Sequence, residues 1–453
     1  MLTAAAFLLA YSAGCFLALF RHPIYGFVTY ISLIYIHPPT TWWGVLIPSV
    51  RWSLLAAGVT VVAVLLHGRG QQRKPIFSYG VMRGLIVFLL WLLMQSLWTI
   101  NPTEHSELLT LMLKYVVLVW LMVRCLDSVK HIKYFLFAHS AGCFYLGTIV
   151  IADYIGGRFE GFTGPGVDEA NTAALQIVTG IIVTFVIFLS GKKLEKIAAF
   201  GFMPFILNAL VATISRSGFL ALGVSGVLFN LFVPKKNARL VRLLSVVGLV
   251  LFASLTNPIY WERIGTILTA GEEIEGQDTG IGRLVLMKAQ FEMFAEYPMG
   301  CGHRCTATLS PLYLDDIYLT GYEGNRGRSS HNTFLTLMVE QGIPGMVMYL
   351  LYLSWILRMA LRLRERMCSS SGILATTYTA TVAILGAITV GDLFVDYLKF
   401  ETRFLFIALF IVIDQMAANE VREATADGKS VRDPQLEKSG NGRHGQGIGS
   451  RNV

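Results

Sequence analysis

The chain has 453 residues, 54% of them hydrophobic and 15% charged, against roughly a quarter charged in soluble domains. Apolar runs near the ~20 residues that cross a bilayer recur along most of its length, which excludes a soluble globular enzyme. Lys and Arg number 37 against 29 Asp and Glu, a net charge of +8, but these charges lie between apolar runs, where they set membrane orientation and do not point to nucleic acid.

Taken in order, spans are expected near 3–20, 24–36, 50–66, 84–100, 107–124, 134–155, 171–190, 197–213, 217–233, 240–256, 333–357, 374–391 and 402–416. This is an all-α polytopic membrane protein with about 13 crossings. The basic blocks Arg69/Arg73/Lys74/Arg83, Arg124/Lys130/Lys133, Lys192/Lys193/Lys196, Lys235/Lys236/Arg239/Arg242 and Arg358/Arg362/Arg364/Arg366 fall on alternate connections. By the positive-inside rule those connections are cytoplasmic, with the N-terminus outside and the C-terminus inside. Arg21 is the first basic residue, so the first span lacks the charged start of a secretory signal and is expected to stay as an anchor. Four regions result: a transmembrane bundle over 1–256, one long outer loop over 257–330, C-terminal transmembrane helices over 331–416, and a polar tail over 417–453 expected to be disordered in the cytoplasm.

The long outer loop carries most of the chemistry. Leu284, Met287, Phe291 and Phe294 recur at helical spacing until Pro298, which predicts an amphipathic helix at the membrane surface with Arg283 in its first turn. The loop returns through Arg326, Arg328 and His331-Asn332. His331 then sits at a helix N-terminus, whose partial positive charge favours a neutral imidazole able to accept a proton. Gly342-Ile343-Pro344-Gly345 interrupts that helix, so that 331–341 forms a half-helix. Ser215-Arg216-Ser217-Gly218 makes a tight turn between two outer span ends, and Arg158 lies in a second outer loop, 156–170. Most basic residues are on the inner side, so outer arginines call for an explanation; snorkelling to phosphate headgroups is the bland one.

Other residues admit two readings. Lys114, deep within a predicted span, either faces the bundle and helps neutralise an anionic substrate or marks a shifted span. Asp392 and Asp396, one turn apart, either line a cavity or end an outer helix with their carboxylates in water beside Lys399 and Arg403. Cys301-Gly302-His303-Arg304-Cys305 falls short of four metal ligands, and its cysteines are either a small-ring disulfide or free thiols.

In chain order, Ser215-Arg216-Ser217-Gly218, Gly282-Arg283 opening a helix that ends at Tyr297-Pro298, Gly300 and Gly302, His331-Asn332-x-Phe334-Leu335, and Gly342-x-x-Gly345 together resemble the core signature of the bacterial O-antigen ligase and polymerase superfamily. His37 to Gly44, followed by Arg51-Trp52-Ser53, is similar to the branch of O-glycosylation ligases associated with exosortase systems. The resemblance implies a GT-C-type glycosyltransferase of the inner membrane that moves a glycan from undecaprenyl diphosphate to a lipid or protein acceptor hydroxyl at the periplasmic face. It implies no metal, no other cofactor and no nucleic-acid partner. It places the essential arginines at Arg216 and Arg283 and the essential histidine at His331. Arg158, Lys114, Arg326, Arg328 and Asn332 are substrate-binding candidates from their own positions in the sequence. Guanidinium groups suit the negative charge that builds on a leaving diphosphate, and a neutral histidine suits deprotonation of the attacking hydroxyl. A polymerase of lipid-linked repeats would use the same residues, and a polysaccharide transporter is the third reading.

Overall fold

A computed structural model describes residues 1–67, 74–154, 158–159, 169–255, 281–315, 319, 327–328, 331–370, 372–396 and 398–426. In order, the helices are α1 (Leu2–Phe20), α2 (Ile24–Tyr35), α3 (Trp52–His67), α4 (Gly80–Gln95), α5 (Pro102–Cys125), α6 (Val129–Asp153), α7 (Ala170–Ser190), α8 (Lys193–Ala212), α9 (Arg216–Phe232), α10 (Ala238–Leu255), α11 (Ile281–Glu296), α12 (Cys305–Leu309), α13 (Thr333–Glu340), α14 (Gly342–Ser369), α15 (Ile373–Gly391) and α16 (Glu401–Ala426). Among the described residues there is no strand, as expected for a chain whose backbone must satisfy its own hydrogen bonds in lipid.

Among the described residues, seven helices are by length and composition able to cross a membrane: α1, α5, α6, α7, α8, α14 and α15. Three more, α3, α4 and α9, are apolar but shorter. The segment expected to cross at 24–36 forms a helix of only 12 residues, about 18 Å at 1.5 Å per residue, well short of the ~30 Å hydrocarbon core. The polar tail expected over 417–453 begins as helix, because α16 continues to Ala426; 427–453 lies outside the described residues.

α7 and α15 form the centre, with most of their residues buried. Close approach around them depends on small residues. A Cβ at Gly180 would meet the Cys143 sulfur at 2.4 Å, and one at Gly142 would meet the Tyr35 ring at 2.1 Å. That proximity lets a buried polar chain form across four helices. Gln176 Nε2 donates to the Tyr35 hydroxyl at 2.6 Å, the hydroxyl meets His139 Nδ1 at 2.8 Å, and Thr402 donates to Gln176 Oε1 at 2.5 Å. Inside an apolar bundle such bonds fix helix register.

The bundle has two distinct ends. Thr379 Oγ1, near the start of α15, donates to the carbonyl of Phe232 at the end of α9 at 2.9 Å, so the two helices run antiparallel. Arg216 at the start of α9 and Asp392 just after α15 therefore share the opposite end. The first end joins basic connections: Lys235 N donates to Cys368 O at 3.2 Å, and Lys133 pairs with Glu195 at 3.1 Å.

Candidate active site

Arg216 is positioned by a turn locked from several sides. Ile214 has φ of 45°, a conformation costly for a β-branched residue, and reverses the chain before Ser215. Ser215 Oγ caps α9 by accepting from Gly218 N at 3.1 Å and donates to Asn171 Oδ1 at 2.8 Å. Arg158 Nη2 donates to the same Asn171 oxygen at 3.3 Å. Phe159 N donates to Ala212 O at 2.9 Å, closing the contact. The structure thus brings the Arg158 and Arg216 segments to one turn, two guanidinium-bearing residues beside a helix N-terminus. Guanidinium groups and a helix N-terminus both donate to phosphate oxygens, so this turn has the chemistry to bind one.

His331 is the second element at this end. It has φ of 50° and is exposed. Asn332 caps α13, its Oδ1 accepting from Leu335 N at 3.1 Å while its Nδ2 donates to Leu393 O at 3.1 Å. The next residue, Thr333, is anchored twice to Asp392: N to the Asp392 carbonyl at 2.8 Å and Oγ1 to Oδ1 at 3.0 Å. Arg403 Nη2 donates to the same carboxylate at 2.5 Å, and the Tyr349 hydroxyl donates to its other oxygen. Asp392 and Arg403 are 0% and 2% exposed. Of the two readings the sequence allows for Asp392, this overturns the one that puts its carboxylate in water. It is the buried half of an ion pair that fixes where α13 begins.

A second polar cluster holds the far end of α13. Glu340 Oε2 accepts from His303 Nδ1 at 2.8 Å, and Lys399 Nζ approaches His303 Nε2 at 3.3 Å. His303 N in turn donates to His105 Nδ1 at 3.2 Å. His303 and Glu340 are 4% exposed. Burial and then the neighbouring Glu340 charge raise the Asp396 carboxyl from its ordinary value. Cys301 and Cys305 bracket His303 and form a disulfide, so neither thiolate is available to a metal. In the sequence His303 reads only as a metal ligand and Glu340 does not stand out, because its partner comes from a distant loop.

The helix expected in the outer loop is α11. Its packed face is Leu286, Ala289 and Met293, which meet Cys305, Leu309 and Val339, whereas Leu284 and Phe291 of the expected stripe remain exposed. The predicted stripe is therefore split: Phe294 packs against the small core the loop builds and Met287 is half-buried, while Leu284 and Phe291 face outward.

The remaining candidates are distributed as follows. Arg283 lies in α11, but its side chain is outside the described residues, as is all of Arg326. Arg328 is half-buried and its N donates to Ser310 Oγ at 2.7 Å. Lys114 lies on an exposed face of α5, close enough to Glu401 to interact with it electrostatically. His22, Asp127 and His131 come together with metal-like spacing among the described residues, at the basic end. His22 Nδ1 accepts from Ile24 N at 3.1 Å, which leaves the proton of a neutral ring on Nε2, facing Asp127 at 2.9 Å. That protonated nitrogen is a poor ligand.

An all-helical, multi-pass membrane protein with cationic and imidazole side chains at one end of its bundle is thereby defined. Residues 201–350 match the Wzy_C family model, described as O-Antigen ligase, and this supports the O-antigen ligase and polymerase superfamily, a glycosyltransferase-like group. The matched stretch includes Arg216, Arg283, Arg326, Arg328, His331 and Asn332, and it excludes Lys114 and Arg158. No curated protein matches the chain.

Proposed function

We propose that the protein is a metal-independent GT-C-type glycosyltransferase of the bacterial inner membrane that transfers a glycan from undecaprenyl diphosphate to an acceptor hydroxyl at the periplasmic face. Among the described residues, the non-glycine residues with positive φ are Ile214, Arg304 and His331. That two of these three strained positions place Arg216 and His331, at one end of the bundle and within the family-matched stretch, is the observation that carries the reading. Basic connections gather at the other end, which supports a periplasmic site with the C-terminus in the cytoplasm.

In the proposed reaction the acceptor oxygen attacks C1 of the donor sugar and the C1–O bond to the carrier diphosphate breaks, the electron pair leaving with the diphosphate. Arg216 and Arg283 stabilise the charge that builds on the leaving oxygens, with Arg158 beside them. His331 takes the hydroxyl proton, giving a single inverting displacement. Asn332, Arg326, Arg328 and Lys114 are assigned to binding of the lipid-linked glycan.

The test is the attachment state and size of surface glycan in cells whose sole copy carries His331→Ala. Long glycan retained on its carrier and missing from any acceptor supports a ligase, the reading favoured by the amino-terminal resemblance. Accumulated single repeat units would make it a polymerase. An unchanged profile would overturn both.

A further inference from the structure

A groove of about 940 Å3 opens on the flank of the bundle between α2, α6 and the start of α8. Its size is at the upper end of the roughly 300–1,000 Å3 typical of small-molecule sites. Val28 of α2, Ile36 just beyond its end, and Phe137 and Ala141 of α6 give it apolar walls, whereas Lys130, Lys133, Lys192 and Glu195 stand at one mouth. The groove runs along α2 and the first part of its longer neighbour α6. From Tyr25 to Ile36 it runs about 16 Å at 1.5 Å per residue, close to half of the ~30 Å hydrocarbon core, the depth of one leaflet.

The charge at the mouth is unbalanced. Glu195 accepts from Lys133 at 3.1 Å, and the Lys130 ammonium sits 5.7 Å from the centre of the Tyr134 ring. The adjacent acid Asp127 is taken by His22 at 2.9 Å and by His131 at 2.5 Å. Three ammonium groups therefore face one carboxylate where the apolar channel meets the membrane surface. Anionic headgroups bind such basic recesses between helices, each Lys or Arg adding to the attraction.

We infer that this groove holds one anionic glycerophospholipid from the leaflet on the lysine side. Its phosphate lies between Lys130 and Lys192, and an acyl chain runs along α2 and α6. A zwitterionic lipid would bring its own cation to the three lysines, and a neutral lipid would leave them unused. The site is independent of the transfer reaction proposed above.

The test is native mass spectrometry of the detergent-solubilised full chain titrated with phosphatidylglycerol or phosphatidylcholine. The wild type should retain one phosphatidylglycerol with a preference on the order of tenfold over phosphatidylcholine. Lys130→Gln combined with Lys192→Gln leaves the Lys133 and Glu195 pair and the groove walls intact and should abolish that preference. Ala138→Trp, which fills the groove, should reduce retention of both lipids; the lysine variant keeps the test valid if the tryptophan prevents folding. Equal retention of the two lipids by the wild type, or a preference that survives the lysine variant, would overturn the inference. Displacement of the lipid by millimolar inorganic phosphate would also overturn it, by reducing the site to a surface anion patch.

Discussion

Arg403 donates to Asp392 at 2.5 Å in the interior, and the same carboxylate receives Thr333, two residues beyond His331, at 3.0 Å. One buried ion pair therefore fixes the start of the helix that follows the proposed base. Removing one partner leaves an uncompensated buried charge, which costs about 3–5 kcal/mol, whereas replacing both with apolar residues costs far less. Asp392→Asn and Arg403→Met should each lower the apparent melting temperature in detergent. The double variant Asp392→Leu/Arg403→Met should be more stable than either, yet still less active than wild type because Thr333 loses the carboxylate and keeps only its bonds to main-chain carbonyls. Equal stability of the single variants and the wild type would show that the pair does not hold this end of the fold.

His303 and Glu340 make the corresponding anchor at the far end of α13. His303→Ala leaves the Glu340 carboxylate buried without its 2.8 Å partner, a loss of roughly 1–3 kcal/mol. The affected segment is the elbow around the Cys301 and Cys305 disulfide, which carries the exposed Arg304. Trypsin should cut at Arg304 faster in this variant, and Glu340→Gln, whose amide oxygen can still accept from Nδ1, should lie between it and the wild type. Identical cleavage rates in all three would mean that the elbow is held by its apolar core alone.

These two anchors mark the boundary of what the sequence discloses. Helix positions follow from hydropathy, and the break at Gly342, which has φ of 67°, follows from a local cluster of Gly and Pro. The turn at Arg216 is equally local, since a Ser cap and a neighbouring Gly signal it directly. Asp392 and Arg403 also look local, but one-dimensional hydropathy places both at span ends, where charges ordinarily meet water; their burial comes from packing against Tyr349. Glu340 sits in an apolar run with no nearby cation, and its partner is 37 residues away in a loop. Only the folded chain brings them together. The packed face of α11 is hidden in the sequence for a related reason: an apolar stripe in an outer loop reads as membrane-facing, while Leu286 and Met293 pack against the loop itself.

Metal independence has a direct test. The Cys301 and Cys305 sulfurs are joined to each other, and the His22, Asp127 and His131 trio lies at the opposite end from Arg216 and His331. A chelator should therefore leave turnover of the purified protein unchanged. Inhibition that is reversed by adding back a divalent ion would remove the metal-free mechanism.

Arg216 is the sharpest test of the proposed diphosphate clamp. Its backbone is fixed by the Ser215 cap and the Asn171 contact, neither of which uses the guanidinium. Arg216→Lys therefore keeps the turn and the charge but replaces a planar, two-pronged donor with a point charge. If the leaving diphosphate is held bidentately in the transition state, kcat should fall by roughly 10- to 100-fold, the equivalent of about 1.4–2.8 kcal/mol. Melting temperature measured alongside separates a loss of fold from a loss of transition-state binding. A rise in KM with kcat preserved would instead mean that Arg216 binds donor and transition state alike. Wild-type kinetics would take Arg216 out of the reaction and leave the arginine to the lipid headgroups.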